Sequence, residues 1–334
     1  MRDRNILLTG STGFVGRAIV EHLTGLGVPA NRLRLLVRDA RRAESIGLPR
    51  ESLLQGDLGD REALLRSARE ADLVFHVAGA VKALSRRQFF RVNGDGTALL
   101  VDVLLEVAPG CRLVHVSSLA AAGPSVDGEN SALSPEHCAP RSHYGASKRQ
   151  GELHVQSLGG RLPWVIVLPG IVYGPGDVAT RLLFRQALAP VAAVPWTPRP
   201  LSLIHVRDLV EVLMRAASSP WTRRVFPVEG PNRLSTDELV VALAAACGRR
   251  ARLLRLPLAA VWPVALGCDM MAQLRRRPAL MGLDKLRDLR GAGWVADPRP
   301  ARNALDFVPR ISTSLGFRET AAAEGFVDLS ATAR

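Results

Sequence analysis

An apolar run, Ile6-Leu7-Leu8, leads directly into Thr9-Gly10-Ser11-Thr12-Gly13-Phe14-Val15-Gly16, and a helical pattern takes over from Val15. Glycines three apart between a strand and a helix restrict the possible folds more than anything else in the chain. Gly10 permits a tight turn, Gly13 lets main chain approach a pyrophosphate, and Gly16 allows helix to pack closely on sheet. The unpaired N–H groups of the helix start then face the phosphates. The strand–turn–helix context that gives such a motif its meaning is present. Gly10, Thr12, Gly13, Phe14, Val15 and Gly16 are therefore expected to cradle a dinucleotide.

The rest of the first half keeps the same rhythm. Strands are expected at 5–9, 33–37, 52–55, 73–77, 112–117 and 164–168, with helices near 15–26, 60–70, 94–106 and 143–158. This alternation implies an α/β fold with a parallel, doubly wound, Rossmann-type sheet. Ligands in such sheets sit at the carboxyl ends of the strands. After Gly174-Pro175-Gly176 the rhythm loosens, prolines gather at 190, 195, 198 and 200, and helices are expected near 207–217, 236–247 and 258–274. We read a dinucleotide-binding domain over 1–175, with segments returning from 200–230. A smaller, mainly helical substrate-binding region spans 176–334.

Composition narrows the class. With 47 % apolar residues among 334, the chain can bury a sizeable core. Its formal charge of +13 raises nucleic acid as a partner. Yet the chain has only three lysines, Lys82, Lys148 and Lys285, and its arginines are spread along it rather than gathered in one stripe. No nucleic-acid role is expected, although a basic surface suits anionic cofactors or membrane lipids. Cys111, Cys138, Cys247 and Cys268 have no zinc-ligand spacing, so reduced thiols, no metal and a cytoplasmic setting are expected. The most apolar stretch, 256–268, contains Pro263 and is followed by Asp269. It falls short of the ~20 residues that cross a bilayer. It can line a pocket, touch a membrane peripherally or form an ordinary buried helix.

The end of the second strand bears on cofactor choice. An acidic residue there binds the ribose hydroxyls of NAD, whereas Arg38 suits the 2′-phosphate of NADP. NADP is expected, with NAD the alternative if Asp39 takes the ribose. Asp57, after the third strand, is placed to meet the adenine edge beside Leu58, or to help cap the next helix. Val77-Ala78-Gly79 leaves room for the cofactor backbone.

Tyr144-Gly-Ala-Ser-Lys148 carries the chemistry. Its i, i+4 spacing puts Tyr144 and Lys148 on one helix face. A neighbouring ammonium and a cationic nicotinamide ring are expected to lower the tyrosine from its usual value near 10. It could then exchange a proton with a substrate hydroxyl or carbonyl. Ser118 follows the fifth strand and faces the same crevice, with Ser117 as the fallback.

These segments resemble the extended short-chain dehydrogenase/reductase family, also called the NAD-dependent epimerase/dehydratase family. The resemblance rests on TGSTGFVG (9–16), GDL (56–58), HVAGA (76–80), VNGDGT (92–97), VSSLAAAG (116–123), YGASK (144–148), LPGIVYGPGD (168–177) and IHVRDL (204–209). It implies a Ser118, Tyr144, Lys148 catalytic set, with Lys148 also holding the nicotinamide ribose, and a homodimer. Asn93 stands where the family often has a supporting asparagine; a helix-start role fits it equally. Pro169, Gly170 and Ile171 fall at the cofactor. Sugar-nucleotide members often carry Arg-Pro-x-Asn there, and Ile171 replaces the asparagine that would meet a substrate pyrophosphate.

The expected function is NADP-dependent interconversion of a keto and a hydroxyl group on a fairly apolar small molecule, as in hydroxysteroid-dehydrogenase and dihydroflavonol-reductase branches. The alternative is a sugar-nucleotide epimerase or dehydratase with tightly bound NAD. A cofactor-sensing regulator is disfavoured, because regulators of that kind commonly lose the tyrosine.

Overall fold

The computed structural model describes residues 1–125, 138–279, 282–295 and 297–327. Its first six strands are β1 (Ile6–Thr9), β2 (Leu33–Val37), β3 (Leu53–Gln55), β4 (Leu73–His76), β5 (Arg112–Val116) and β6 (Trp164–Pro169). After them come β7 (Ile171–Tyr173), β8 (Ala192–Pro195), β9 (Pro200–His205), β10 (Arg224–Val228), β11 (Arg233–Ser235) and β12 (Leu253–Leu256). Seven strands form one sheet in the order β10-β6-β5-β4-β1-β2-β3. Every pairing in it is parallel. The chain builds outward from β1 to β3, then returns to start the other half at β4. The order thus reverses between β1 and β4, where a doubly wound sheet opens a crevice at its carboxyl edge.

Alternation along β1 shows how the sheet is covered on both faces. Ile6 and Leu8 pack with Ile19, Leu23, Leu209 and Leu213, from helices Phe14–Gly25 and Val206–Ser218. Leu7 points the other way, toward Leu64, Leu100, Leu104 and Val155. Successive side chains of a strand face opposite sides, so a strand buried on both reads as a continuous apolar run.

The six expected strands and the main helices are present. The seventh sheet strand, β10, was not expected, because Pro227 interrupts Arg224-Val225-Phe226-Pro227-Val228. A proline cannot donate to a ladder and is confined to edges. β10 is an edge strand, paired only with β6. The C-terminal half is largely helical and adds two small sheets, β11-β9-β7 and β12-β8. They pack around Tyr173, Phe184, Leu203, Leu239, Leu243 and Phe317. The helix expected from Gly94 begins earlier, with Arg86–Phe90, runs through a π-turn at Arg91–Asp95 and continues as Gly96–Val107.

Candidate active site

The glycine turn adopts the geometry its spacing implies. Gly10 has φ +82°, and a Cβ there would stand 2.6 Å from the amide nitrogen of Ala78. The turn after β1 thus lies directly on the loop after β4, at the switch point. A Cβ on Gly16 would come within 2.1 Å of the Gly10 carbonyl oxygen, so the helix can seat only without a side chain there. No side chain caps this helix at Gly13, and Thr12 and Gly13 are exposed. Uncapped N–H groups with a positive end dipole form an anion site. The half-buried Phe14 ring faces Gly174, and Arg17 donates to the Gly176 carbonyl at 3.2 Å, closing the Gly174-Pro175-Gly176 turn over the motif.

Arg38 emerges exposed just beyond β2. Asp39, the rival for the ribose, is engaged locally: its carboxylate accepts from the Arg42 amide at 3.0 Å and caps helix Ala40–Ser45. Arg38 makes no ion pair among the described residues and is free to meet a phosphate. Asp57 does not cap the following helix. It accepts from Gly59 N at 2.7 Å, and Asp60 caps Arg61–Ala68. Asp57 remains exposed at the sheet edge, while Leu58 is buried in the core.

Val77 and Ala78 are half-buried and Gly79 is exposed. Asn93 holds this loop: its side chain accepts from Ala80 N at 2.7 Å, and donates to Ala80 O at 3.0 Å and Ser147 Oγ at 2.8 Å. It therefore ties the loop after β4 to the helix that carries Tyr144. This is not a helix-start role, because Asn93 lies inside the π-turn. Such single-turn irregularities recur at functional sites.

Ser118, Tyr144 and Lys148 converge. Ser118 follows β5 and caps the short helix Leu119–Ala122, accepting from Ala120 N at 3.2 Å. Its hydroxyl stands near enough to the Tyr144 phenol to favour the phenolate. The helix bearing Tyr144, His143–Gln156, comes this near because Gly145 has no side chain; a Cβ would stand 2.3 Å from the Ala120 carbonyl oxygen. Lys148 is buried and donates from Nζ to the Val116 carbonyl at 2.7 Å. A Cβ on Gly79 would lie 3.6 Å from the same Nζ, which places the amine beside the cofactor loop.

The adjacent serine is distinct. Ser117 donates to the buried Glu152 carboxylate, which also binds Arg149 at 2.8 Å. Ser117 thus serves the packing of the helix, and Ser118 faces the site.

Electrostatics correct one expectation. Tyr144 does not titrate low: burial pushes it up to about 12, and the nearby Ser118 hydroxyl only partly opposes this. Burial costs a phenolate its hydration, and the Asp288 carboxylate raises the phenol further. Lys148 moves the other way, to about 8, again chiefly through burial, with Glu152 opposing. The structure therefore holds a protonated phenol beside an amine that loses its proton readily.

Several residues that shape the site carried no local signal. His76 on β4 bridges Thr9 Oγ1 at 2.7 Å and Thr97 Oγ1 at 2.9 Å, joining the glycine turn to the helix after Asn93. It stacks on the equally buried His115 at 4.8 Å. The Asp284 carboxylate accepts from the amides of His143 and Tyr144, at 2.7 and 3.1 Å, and caps the Tyr144 helix from 140 residues away. Only the fold brings these together. Tyr173, the other tyrosine, is a core residue against His205 and Phe317.

Pro169 ends β6 buried, and Gly170 and Ile171 are half-buried where the chain turns into β7. The 256–268 segment is not an ordinary buried helix. Helix Leu258–Arg275 buries only Ala265 and Ala272 fully and exposes most of its length. No described helix is long and apolar enough to cross a membrane.

Known proteins share this frame. The model of the NAD dependent epimerase/dehydratase family matches residues 6–226. The chain is 33 % identical over 298 residues to a ceramide reductase of Caulobacter vibrioides, covering 88 % of this chain and 87 % of that one. It is 25 % identical over 340 residues to a UDP-glucose 4-epimerase of Vibrio cholerae, covering 96 % and 95 %. The UDP-glucose 4-epimerase of Thermus thermophilus, solved with NAD, superposes with a TM-score of 0.72 at 22 % identity, over 96 % of this chain and 98 % of that one. The chain belongs to the NAD-dependent epimerase/dehydratase family, the extended short-chain dehydrogenases/reductases, and is an NAD(P)-dependent enzyme acting on CH–OH and C=O groups.

Proposed function

We propose that the protein is an NADPH-dependent reductase of a ketone on a largely apolar, lipid-like molecule, with Ser118, Tyr144 and Lys148 as its catalytic set. The observation that carries this reading is the close packing of the Tyr144 helix on the Ser118 turn, with Gly145 against the Ala120 carbonyl and Lys148 Nζ held on Val116 O at 2.7 Å. Two O–H groups converging on one point suit a carbonyl oxygen. A protonated phenol suits the reductive direction, in which that oxygen must gain a proton.

The residues fit the cofactor. The uncapped helix start at Gly13 and the small Ala78-Gly79 loop suit a pyrophosphate-bearing dinucleotide, and Arg38 suits a 2′-phosphate. A nicotinamide bound there would supply the hydride that the carbonyl carbon gains. Tyr144 gives its phenolic proton to the oxygen, and Ser118 holds that oxygen by hydrogen bond. Lys148, anchored on the Val116 carbonyl, returns a proton toward the tyrosine and holds the ribose hydroxyls. Asn93 keeps the loop after β4 and the tyrosine helix in register.

Two observations support an apolar substrate. Ile171, which packs on the Tyr173 and Phe184 core, takes the sequence position of an asparagine with which sugar-nucleotide members meet a pyrophosphate, and offers no polar partner for one. The relative that acts on ceramide spans nearly the whole chain. The second reading, a sugar-nucleotide epimerase or dehydratase with retained NAD, draws on the Vibrio cholerae relative.

The test monitors NADPH oxidation with two panels, one of long-chain, steroid and flavonoid ketones, the other of UDP- and dTDP-sugars. Turnover is expected in the first panel, and Tyr144→Phe should abolish it while NADPH affinity stays within about two-fold, since only the donating hydroxyl is lost. Turnover confined to the sugar nucleotides, or an active Phe variant, would overturn the proposal.

A further inference from the structure

Helix Leu258–Arg275 lies on the surface yet is apolar on both its inward and its outward face. Its inward stripe is Leu258, Val261, Ala265, Cys268 and Ala272, at the i, i+3, i+4 spacing of one face. The outward face should then be charged. Instead it presents Ala259, Pro263, Leu266, Met270 and Leu274, with Met270 66 % and Leu274 80 % exposed. The only charged residue between 258 and 274 is Asp269, and it is committed to the Leu283 amide at 3.0 Å. At ~1.5 Å per residue, the apolar ridge runs for roughly 25 Å.

The ends of the ridge are of two kinds. Beside its start, Trp196 donates its amide to Leu256 O at 2.9 Å and leaves its side chain 67 % exposed. At its finish stand Arg275, Arg276 and Arg277, all exposed. Gln273 joins this end to the loop after β4 through a 2.7 Å bond to Leu84 O. That loop adds exposed Val81, Lys82, Arg86 and Arg87, and no acidic residue occurs between 73 and 94.

We infer that this face docks on an anionic phospholipid bilayer, with the helix lying in the interface plane. The pattern is that of interfacial helices, an apolar face sunk among the acyl chains and a basic rim on the headgroups, with tryptophan at the boundary. Contiguous exposed apolar surface of this extent marks an interaction site. Charge complementarity selects the partner. A second copy of this face would set arginine against arginine with no acid between, whereas an anionic leaflet neutralises every cation on it. The face also adjoins the site: Asp284, which caps the Tyr144 helix, follows directly on the Gly282–Leu283 stretch that packs on Asp269. If the substrate is the lipid-like ketone proposed above, docking sets the site mouth at the layer that holds it.

The test uses the full chain with no substrate, so its result is independent of that reading. Protein is sedimented with vesicles of phosphatidylcholine alone or with a third phosphatidylglycerol, at low and high salt. Binding to the anionic vesicles, weakened by salt, is expected. Replacing Arg275, Arg276 and Arg277 with Gln should weaken it on the order of 100-fold. The pair Met270→Glu and Leu274→Glu should abolish it. Both sets of positions are exposed, so the variants should keep wild-type melting and NADPH binding, and this is measured alongside. No pelleting of wild type with anionic vesicles would overturn the inference, as would pelleting that both variants retain. Light scattering that shows the Glu pair converting a dimer to monomers, without vesicle binding by wild type, would assign the face to a second copy instead.

Discussion

Lys148→Met should make the cofactor-free enzyme more stable while destroying its activity. The ammonium is only 4 % exposed, and burial brings its pKa from 10.5 to about 8. Holding it charged in the fold at pH 7 therefore costs about 3 kcal/mol relative to the unfolded chain. Methionine has a similar length and keeps the stem packing. It leaves the Val116 carbonyl, now bonded at 2.7 Å, without its donor. That loss costs about 1–2 kcal/mol. The net gain is about 1–2 kcal/mol, or roughly 2–4 °C in Tm for a chain of this size. The sign with pH follows from a folded-state pKa below the unfolded one. The wild-type penalty is full below pH 8 and fades as pH rises to 10.5, where the unfolded lysine also loses its proton. Thermal unfolding of both proteins without cofactor, at pH 7, 9 and 10.5, should show a gap that shrinks by pH 9 and reverses by pH 10.5. A variant less stable at pH 7, or a gap independent of pH, would refute the reasoning. Such a cost persists because the amine is held for chemistry rather than for the fold.

Two further tests separate residues that stand side by side. Arg38→Ala should lower the NADPH-over-NADH preference about ten-fold or more, the worth of one charge-assisted phosphate contact of about 1.5–3 kcal/mol. An unchanged ratio of dissociation constants would leave Arg38 to solvent and restore Asp39 as a ribose ligand. Ser118→Ala should cut kcat about 100-fold and cost about 1 kcal/mol of stability through the lost cap on Leu119–Ala122. Ser117→Ala should lower stability by about 1–2 kcal/mol, because Glu152 loses a buried donor, and should leave kcat nearly intact. The reverse pattern in kcat would exchange the two roles.

Much of the site could be read from the chain because it depends on short spacings. Gly10, Gly13 and Gly16 are bound by the local geometry of one turn, and Tyr144 and Lys148 by one turn of helix. Ser118 was placed by the strand it follows. The reading failed where burial or distance governs. The tyrosine was expected to titrate low from its neighbours in sequence, but its pKa is set by how much water the fold removes. Asp284 could not be tied to Tyr144 across 140 residues. The clamp of Asn93 on Ala80 depends on a π-turn for which the sequence pattern gave no sign.

Periodicity of two and of 3.6, with glycine where a Cβ would clash, was enough to specify the parallel sheet and its glycine turn, since those rest on backbone sterics within a few residues, and the Tyr144–Lys148 segment with the family resemblance gave the chemical class. The partners of the buried groups were decided by packing: which of two adjacent serines holds the buried Glu152, why the lysine is easily deprotonated, and how a proline-broken segment becomes the seventh strand. The 258–275 helix makes the same point. Its composition reads as core, and only the assembled fold, which has no neighbour to lay on its outer face among the described residues, leaves that apolar ridge exposed.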